Sequence, residues 1–214
     1  MSENIKQNFL LWDDFTNGAL SISQALGETG WVITAIGTPS LGTSIVSGRI
    51  GILNIFTGAK SGNVTALHKD SGMFDLGLPN WENHFAVRRP ISTNIISRIG
   101  FFADLVTNDP PSDGIYFEKL VGDSTWFSVT RSGSVETRND TGISANDNLF
   151  HRLTLRKKNG DWEFWIDEVL RQTHSTDIIT SPADWNFQIK TADNAAKSLG
   201  VDYISMGSLD LPLR

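Results

Sequence analysis

An all-β sandwich is the fold class that this sequence predicts. Three observations predict it. Apolar and polar residues alternate with a period of two through most of the chain, no amphipathic helix longer than two turns can be drawn, and Gly, Asn, Asp or Pro closes the alternating runs. Runs of this kind recurring at short, even spacing are the pattern of a sandwich rather than of alternating strand–helix units.

Taken in order, the predicted strands are each rich in β-branched or aromatic residues. The first is Trp31–Ile36, followed by the isoleucine-rich Arg49–Phe56 and by Asn63–Leu67. His84–Arg89 and Asn94–Phe102 flank Pro90, which cannot join a central ladder. Gly114–Leu120 and Thr125–Arg131 follow the loop Thr107–Gly114, where two prolines and an Asp-Gly pair exclude a strand. His151–Lys157 and Asp161–Asp167 are joined through Asn159-Gly160, a pair suited to the positive φ angles of a tight hairpin. Trp185–Thr191 and Leu199–Met206 complete the set, and Ile143–Asn148 reads as a polar surface loop.

With 214 residues, 39% of them hydrophobic, the chain can bury a substantial core, and it is expected to form one domain over residues 1–214 with a short N-terminal arm of about eight residues. Its net charge of −6 disfavours a phosphate-backbone partner, so no nucleic acid is expected. Having no cysteine, the chain offers no disulfide, thiolate metal site or thiol nucleophile. The opening residues lack an apolar leader and no apolar run approaches the roughly 20 residues of a membrane span, so a soluble protein is expected, with no membrane partner.

Candidate chemistry is sparse. The histidines, His68, His84, His151 and His174, show no metal-ligand spacing, and His151 is expected to pack at a core edge. No Gly-x-Ser-x-Gly elbow places a nucleophile. Asn108, Asp109 and Asp113, or Asn139, Asp140, Asn146 and Asp147, supply the oxygen ligands that calcium prefers, but Asn and Asp more commonly cap turns, and no cofactor or metal is expected. The clusters Arg88-Arg89 and Arg156-Lys157-Lys158 read as solvated strand ends.

Aromatic placement carries more information. Alternation in Asp161–Asp167 sets Trp162, Phe164 and Ile166 on one face and Glu163 with Trp165 on the other. In Gly114–Leu120 it sets Ile115 and Phe117 against Tyr116 and Glu118, and in Thr125–Arg131 it sets Phe127 and Val129 against Trp126 and Ser128. If the aliphatic faces form the core, Tyr116, Glu118, Trp126, Glu163 and Trp165 lie on outer faces. There they are covered by a further layer, form a subunit interface, or stack a sugar ring.

From His84 to Met206 the strand rhythm resembles the concanavalin A-like lectin/glucanase jelly rolls, especially versions in bacteriophage structural proteins. The runs that carry the likeness are Ser97–Phe102, Asp113–Glu118, Trp126–Thr130, Thr141-Gly142, His151–Leu155, Trp162–Asp167 and Val201–Ile204. Trp12–Phe15 with Gly30-Trp31 is similar to the opening strand and its first return. The resemblance implies a jelly-roll β-sandwich of antiparallel sheets, a family that holds sugar binders, glycosidases and architectural modules.

Retaining glucanases of this fold carry Glu-x-Asp-x-x-Glu on one strand, and no such run occurs here. Glu163-Phe-Trp-Ile-Asp-Glu168 comes nearest, with Asp167 and Glu168 read as turn residues. The resulting expectation is a non-enzymatic bacteriophage virion protein, such as a capsid decoration or head-fibre component. It would be a homo-oligomer bound to other capsid or fibre proteins and assembled in the host cytoplasm. The alternative is a lectin-like carbohydrate-binding module for host-surface glycans, acting through Trp165, Trp126 and Tyr116.

Overall fold

Among the described residues the alternating runs become sixteen β-strands, with no helix. The computed structural model describes residues 8–13, 15, 31–46, 49–69, 74–76, 80–103, 109–179 and 182–208. The expected N-terminal arm lies outside them apart from its last residue. In chain order the strands are β1 (Asn8–Asp13), β2 (Val32–Ile36), β3 (Ser40–Val46), β4 (Arg49–Phe56), β5 (Val64–His68), β6 (Phe74–Asp75), β7 (Trp81–Arg88) and β8 (Ile95–Phe102). They continue as β9 (Gly114–Lys119), β10 (Thr125–Ser132), β11 (Val135–Ser144), β12 (Phe150–Lys158), β13 (Asp161–Ile166), β14 (Val169–His174), β15 (Pro182–Thr191) and β16 (Ser198–Ser208).

Two antiparallel sheets form the sandwich. One runs β14-β13-β12-β7-β16-β4-β3, with β1 also on β16; the other runs β11-β10-β9-β8-β15-β5-β2, with β6 also on β15. This is the all-β architecture that the alternation predicts. Asn159 (φ 54) and Gly160 (φ 94) turn β12 into β13, and Asp167 (φ 52) and Glu168 (φ 67) turn β13 into β14, so the last two are turn residues as expected.

The core lies between the sheets. Leu153, Leu155, Trp162, Phe164 and Ile166 come from the first sheet, and Ile99, Phe101, Ile115, Phe117, Trp185 and Phe187 from the second. Rings interlock across the gap: Phe117 meets Phe164 edge-on at 5.3 Å and Phe85 meets Phe187 edge-on at 5.7 Å. The Trp185 indole donates to Asn83 Oδ1 at 3.1 Å, giving a buried polar group its partner.

Strand β10 departs from expectation. Trp126 is 1% exposed within the core, while Phe127 and Val129 face outward. Register is the reason: Val129 sits opposite Tyr116 and Phe127 opposite Glu118, and directly opposed residues share a face. Since Ile115 and Phe117 fill the core, β10 must send Trp126, Ser128 and Thr130 inward. The two inward hydroxyls find a partner in His174 of β14, at 2.8 Å and 2.9 Å from its ring nitrogens.

Strands β3, β11 and β14 lie on sheet edges and escape the sequence reading. β11 is polar on both faces, as edges that must not recruit another chain tend to be, whereas β14 exposes Val169 and Leu170. The basic clusters also need correction. Arg89 is 2% exposed and bonds Ala145 O at 2.7 Å, and Lys157 is 5% exposed and bonds Leu76 O, so both satisfy loop carbonyls rather than face water.

Candidate functional site

Two cross-strand rows cover the outer face of the sheet that contains β9. One runs Thr34–Ala66–Gln188–Arg98–Glu118–Phe127–Asp140 and the other Val32–His68–Asn186–Gly100–Tyr116–Val129–Arg138. Each member lies opposite its neighbours because β9 alternates Ile115 and Phe117 inward with Tyr116 and Glu118 outward.

Arg98, 2% exposed, is the hub. Its Nε donates to Glu118 Oε2 at 2.8 Å, and its Nη1 donates to Asp109 Oδ1 at 2.6 Å and to Gln188 Oε1 at 2.8 Å. Arg138 lies 3.5 Å over the Phe127 ring and reaches Glu118 Oε1 at 2.8 Å and Asp123 Oδ2 at 2.5 Å. Lys190 also bonds Asp109, and Arg131 pairs with Glu136 at 2.6 Å. Four cations, Arg98, Arg131, Arg138 and Lys190, thus face four carboxylates, Asp109, Glu118, Asp123 and Glu136.

The charges in this lattice support one another. Burial works against the Arg98 charge, but Glu118 and Asp109 outweigh it and hold the guanidinium above its usual value. For Asp109, burial is likewise outweighed by Lys190 and Arg98, and the carboxyl sits below its ordinary range. Burial, and then the charge of Glu118, raises the Tyr116 phenol, which stays protonated.

Besides Arg131 Nε, two uncharged groups on this face have no partner among the described residues. Asn186 is fully buried with neither its amide oxygen nor its amide nitrogen bonded, and the fully buried Tyr116 hydroxyl is unbonded as well. They flank Gly100, where an added Cβ would fall 2.3 Å from Ile115 O. Unbonded buried donors and acceptors are costly and call for an explanation.

The residues nominated from sequence divide three ways. Tyr116 and Glu118 share the face just described. Trp126 belongs to the core and cannot contribute to a surface. Glu163 and Trp165 lie on the outer face of the other sheet, on the opposite side of the sandwich, where the indole donates to Glu163 Oε2 at 3.0 Å and Arg156 stacks 4.6 Å over the ring. No shared aromatic face joins the five. Arg98, Asn186 and Arg138 were missed, although the outward parity of Arg98 is legible in Ser97–Phe102.

The acidic and amide groups weighed for calcium are occupied by protein partners, apart from Asn108, which lies outside the described residues. Asp113 accepts the Gly133 N–H of a neighbouring loop at 2.8 Å, while Asp140 accepts the Gly142 N–H at 2.8 Å and Asp147 the Leu149 N–H at 3.0 Å, as turn-capping carboxylates do. Asn146 accepts from Arg89, and Asn139 lies 3.3 Å from the His174 ring. Among the described residues, no group of three or more His, Asp or Glu side chains is arranged to hold a metal ion.

No family model matches the chain, and no curated protein matches it. Solved structures do. A protein of unknown function from Shewanella oneidensis MR-1 superposes with TM-score 0.67 at 12% identity over 95% of this chain and 89% of that one. The β-glucanase of Bacillus licheniformis gives 0.63 at 12% identity over 92% and 97%. A family 16 glycoside hydrolase from the mixed-linkage glucan system of Bacteroides ovatus gives 0.64 at 12% over 92% and 99%, and the Crh5 transglycosylase 0.62 at 16% over 92% and 83%.

The fold is therefore the concanavalin A-like jelly roll of these glucanases. This corrects two expectations. The chain's structural likeness runs to carbohydrate-active enzymes, which overturns the expectation of a bacteriophage virion component and, with it, the expectation that the protein is not an enzyme. The alternative drawn from the sequence, carbohydrate recognition, stands closer to these neighbours.

Proposed function

We propose that the protein engages a neutral glycan chain on the outer face of the β9 sheet. The buried Asn186 amide with both ends unbonded carries this reading. A side-chain amide offers one acceptor and two donors, the complement of neighbouring sugar hydroxyls, each of which both donates and accepts. Cost left in a folded protein by unbonded buried groups is recovered when a ligand supplies their partners.

Balanced charge supports a neutral ligand over an ionic one: cations and carboxylates on this face already satisfy each other. Phe127, half-buried beneath Arg138, adds an aromatic edge. Asp109, which precedes β9, is held by Arg98 and Lys190, so the border of this face is fixed in place. The glucanase neighbours support β-linked glucan as the first ligand to try.

The test is calorimetric titration with mixed-linkage β-glucan oligosaccharides, with released reducing ends counted in parallel to read whether the bound chain is cut. Wild-type protein is expected to bind, and Asn186→Ala to lose at least tenfold in affinity while its melting temperature is unchanged or higher, because the substitution removes an unpaired buried amide. Absence of binding across a glucan panel, or unchanged affinity in Asn186→Ala, overturns the proposal.

A further inference from the structure

The other sheet carries an open cavity of about 260 Å³ on the far side of the sandwich, lined by Ala86, Phe150, His151, Arg152, Asp167, Glu168 and Tyr203. A bulge creates it. Between Val201 and Tyr203 the register of β16 against β7 slips by one residue, which sets Tyr203 opposite Ala86. Arg152 lies opposite Ala86 on the other side, so the row Tyr203–Ala86–Arg152 has a methyl group as its floor between a phenol ring and a guanidinium. Strands β16 and β12 stand two spacings apart, roughly 9.6 Å, which sets the width of the slot.

The Asp167–Glu168 turn closes one end. Asp167 is fixed: Oδ1 accepts the Arg152 N–H at 2.9 Å and Oδ2 lies 2.7 Å from His151 Nδ1, whose other ring nitrogen is 3.0 Å from Asp147. The outer parts of the lining are open to exchange. Glu168 pairs with Arg152 Nη2 at 2.6 Å, but its side chain is 75% exposed, and such a pair is worth little. Arg152 Nε is buried and unbonded.

We propose that this slot is a second glycan subsite that takes a single sugar unit, independent of the β9 face; the ligand class rests on the function proposed above. Its volume lies just below that of pockets built for drug-sized ligands, which suits one ring rather than a chain. Tyr203 and Phe150 offer apolar surface for the ring, Arg152 Nε offers a donor, and Glu168 offers an acceptor. Arg152 and Glu168 balance in charge, so a neutral ring adds no net charge to the slot, and the exposed Glu168 keeps its hydration if the weak pair opens.

The test is a backbone-amide NMR titration of the full chain with methyl β-D-glucoside, repeated with inorganic phosphate. Shifts are expected at Ala86, Arg152 and Tyr203, abolished in Ala86→Leu, which fills the floor, and weakened at least fivefold in Tyr203→Ala. The proposal falls if methyl β-D-glucoside produces no shifts at the slot, if they persist in Ala86→Leu, or if phosphate reproduces them. Shifts at the slot without oligosaccharide binding dependent on Asn186 would sink the β9-face site alone, and the converse would sink this one alone.

Discussion

Arg98 and Glu118 stand directly opposite each other on β8 and β9, Nε to Oε2 at 2.8 Å, each 2% exposed. Removing one partner of such a pair strands the other as a buried charge. Arg98→Met is therefore expected to cost about 3–5 kcal/mol in urea unfolding. Glu118→Gln, which keeps an acceptor in place, should cost clearly less. A smaller loss for the arginine variant would show that the pair is dispensable to the sheet.

The two tryptophans nominated as surface residues should separate cleanly. Trp126→Ala empties a core position and is expected to cost about 3–5 kcal/mol. Trp165→Ala removes a half-buried ring under Arg156 and should cost less than half as much. Chemical denaturation of both variants checks this, and equal losses would contradict the placement.

Most of the fold was legible because period-2 alternation survives wherever one face meets the core, as in β9 and β13 with their clean inward and outward sets. Strand β10 was misread for a specific reason: Phe127 and Val129 are apolar but outward, and only their register with Glu118 and Tyr116 shows it. Hydrophobicity ranks residues, whereas pairing assigns faces. The site was half legible for the same reason. Alternation set Tyr116 and Glu118 outward, but Asn186 and Arg98 join them only through cross-strand neighbours brought together by β15.

Gly100 should resist any side chain. Its φ of 154° and the 2.3 Å approach of an added Cβ to Ile115 O put Gly100→Ala at about 2–4 kcal/mol of destabilisation in thermal unfolding. A neutral substitution would mean that β8 and β9 can separate locally at no cost.

Two histidines should bend stability with pH in opposite senses. Burial pushes His174 down to about 4, so the unfolded chain takes up its proton first. Its contribution is fully present above pH 6.5 and is lost as pH falls from there toward 4, on the order of 3 kcal/mol. At His151 burial is outweighed by Asp167 and Asp147, which raise it, so that contribution is full below pH 6.5 and fades as pH climbs through the folded value. Urea midpoints from pH 4 to 8 should show a shallower acid slope in His174→Gln than in wild type. Identical slopes would refute the assignment of acid sensitivity to His174.

Strands β15 and β16, the last of the sixteen to leave a ribosome, each occupy an interior position, β15 between β8 and β5 and β16 between β7 and β4. Until they arrive, a nascent chain holds two split half-sheets with open edges facing one another. Assembly of both layers therefore waits for synthesis to pass residue 208, and until then the open edges of the half-sheets are exposed to pairing with other chains.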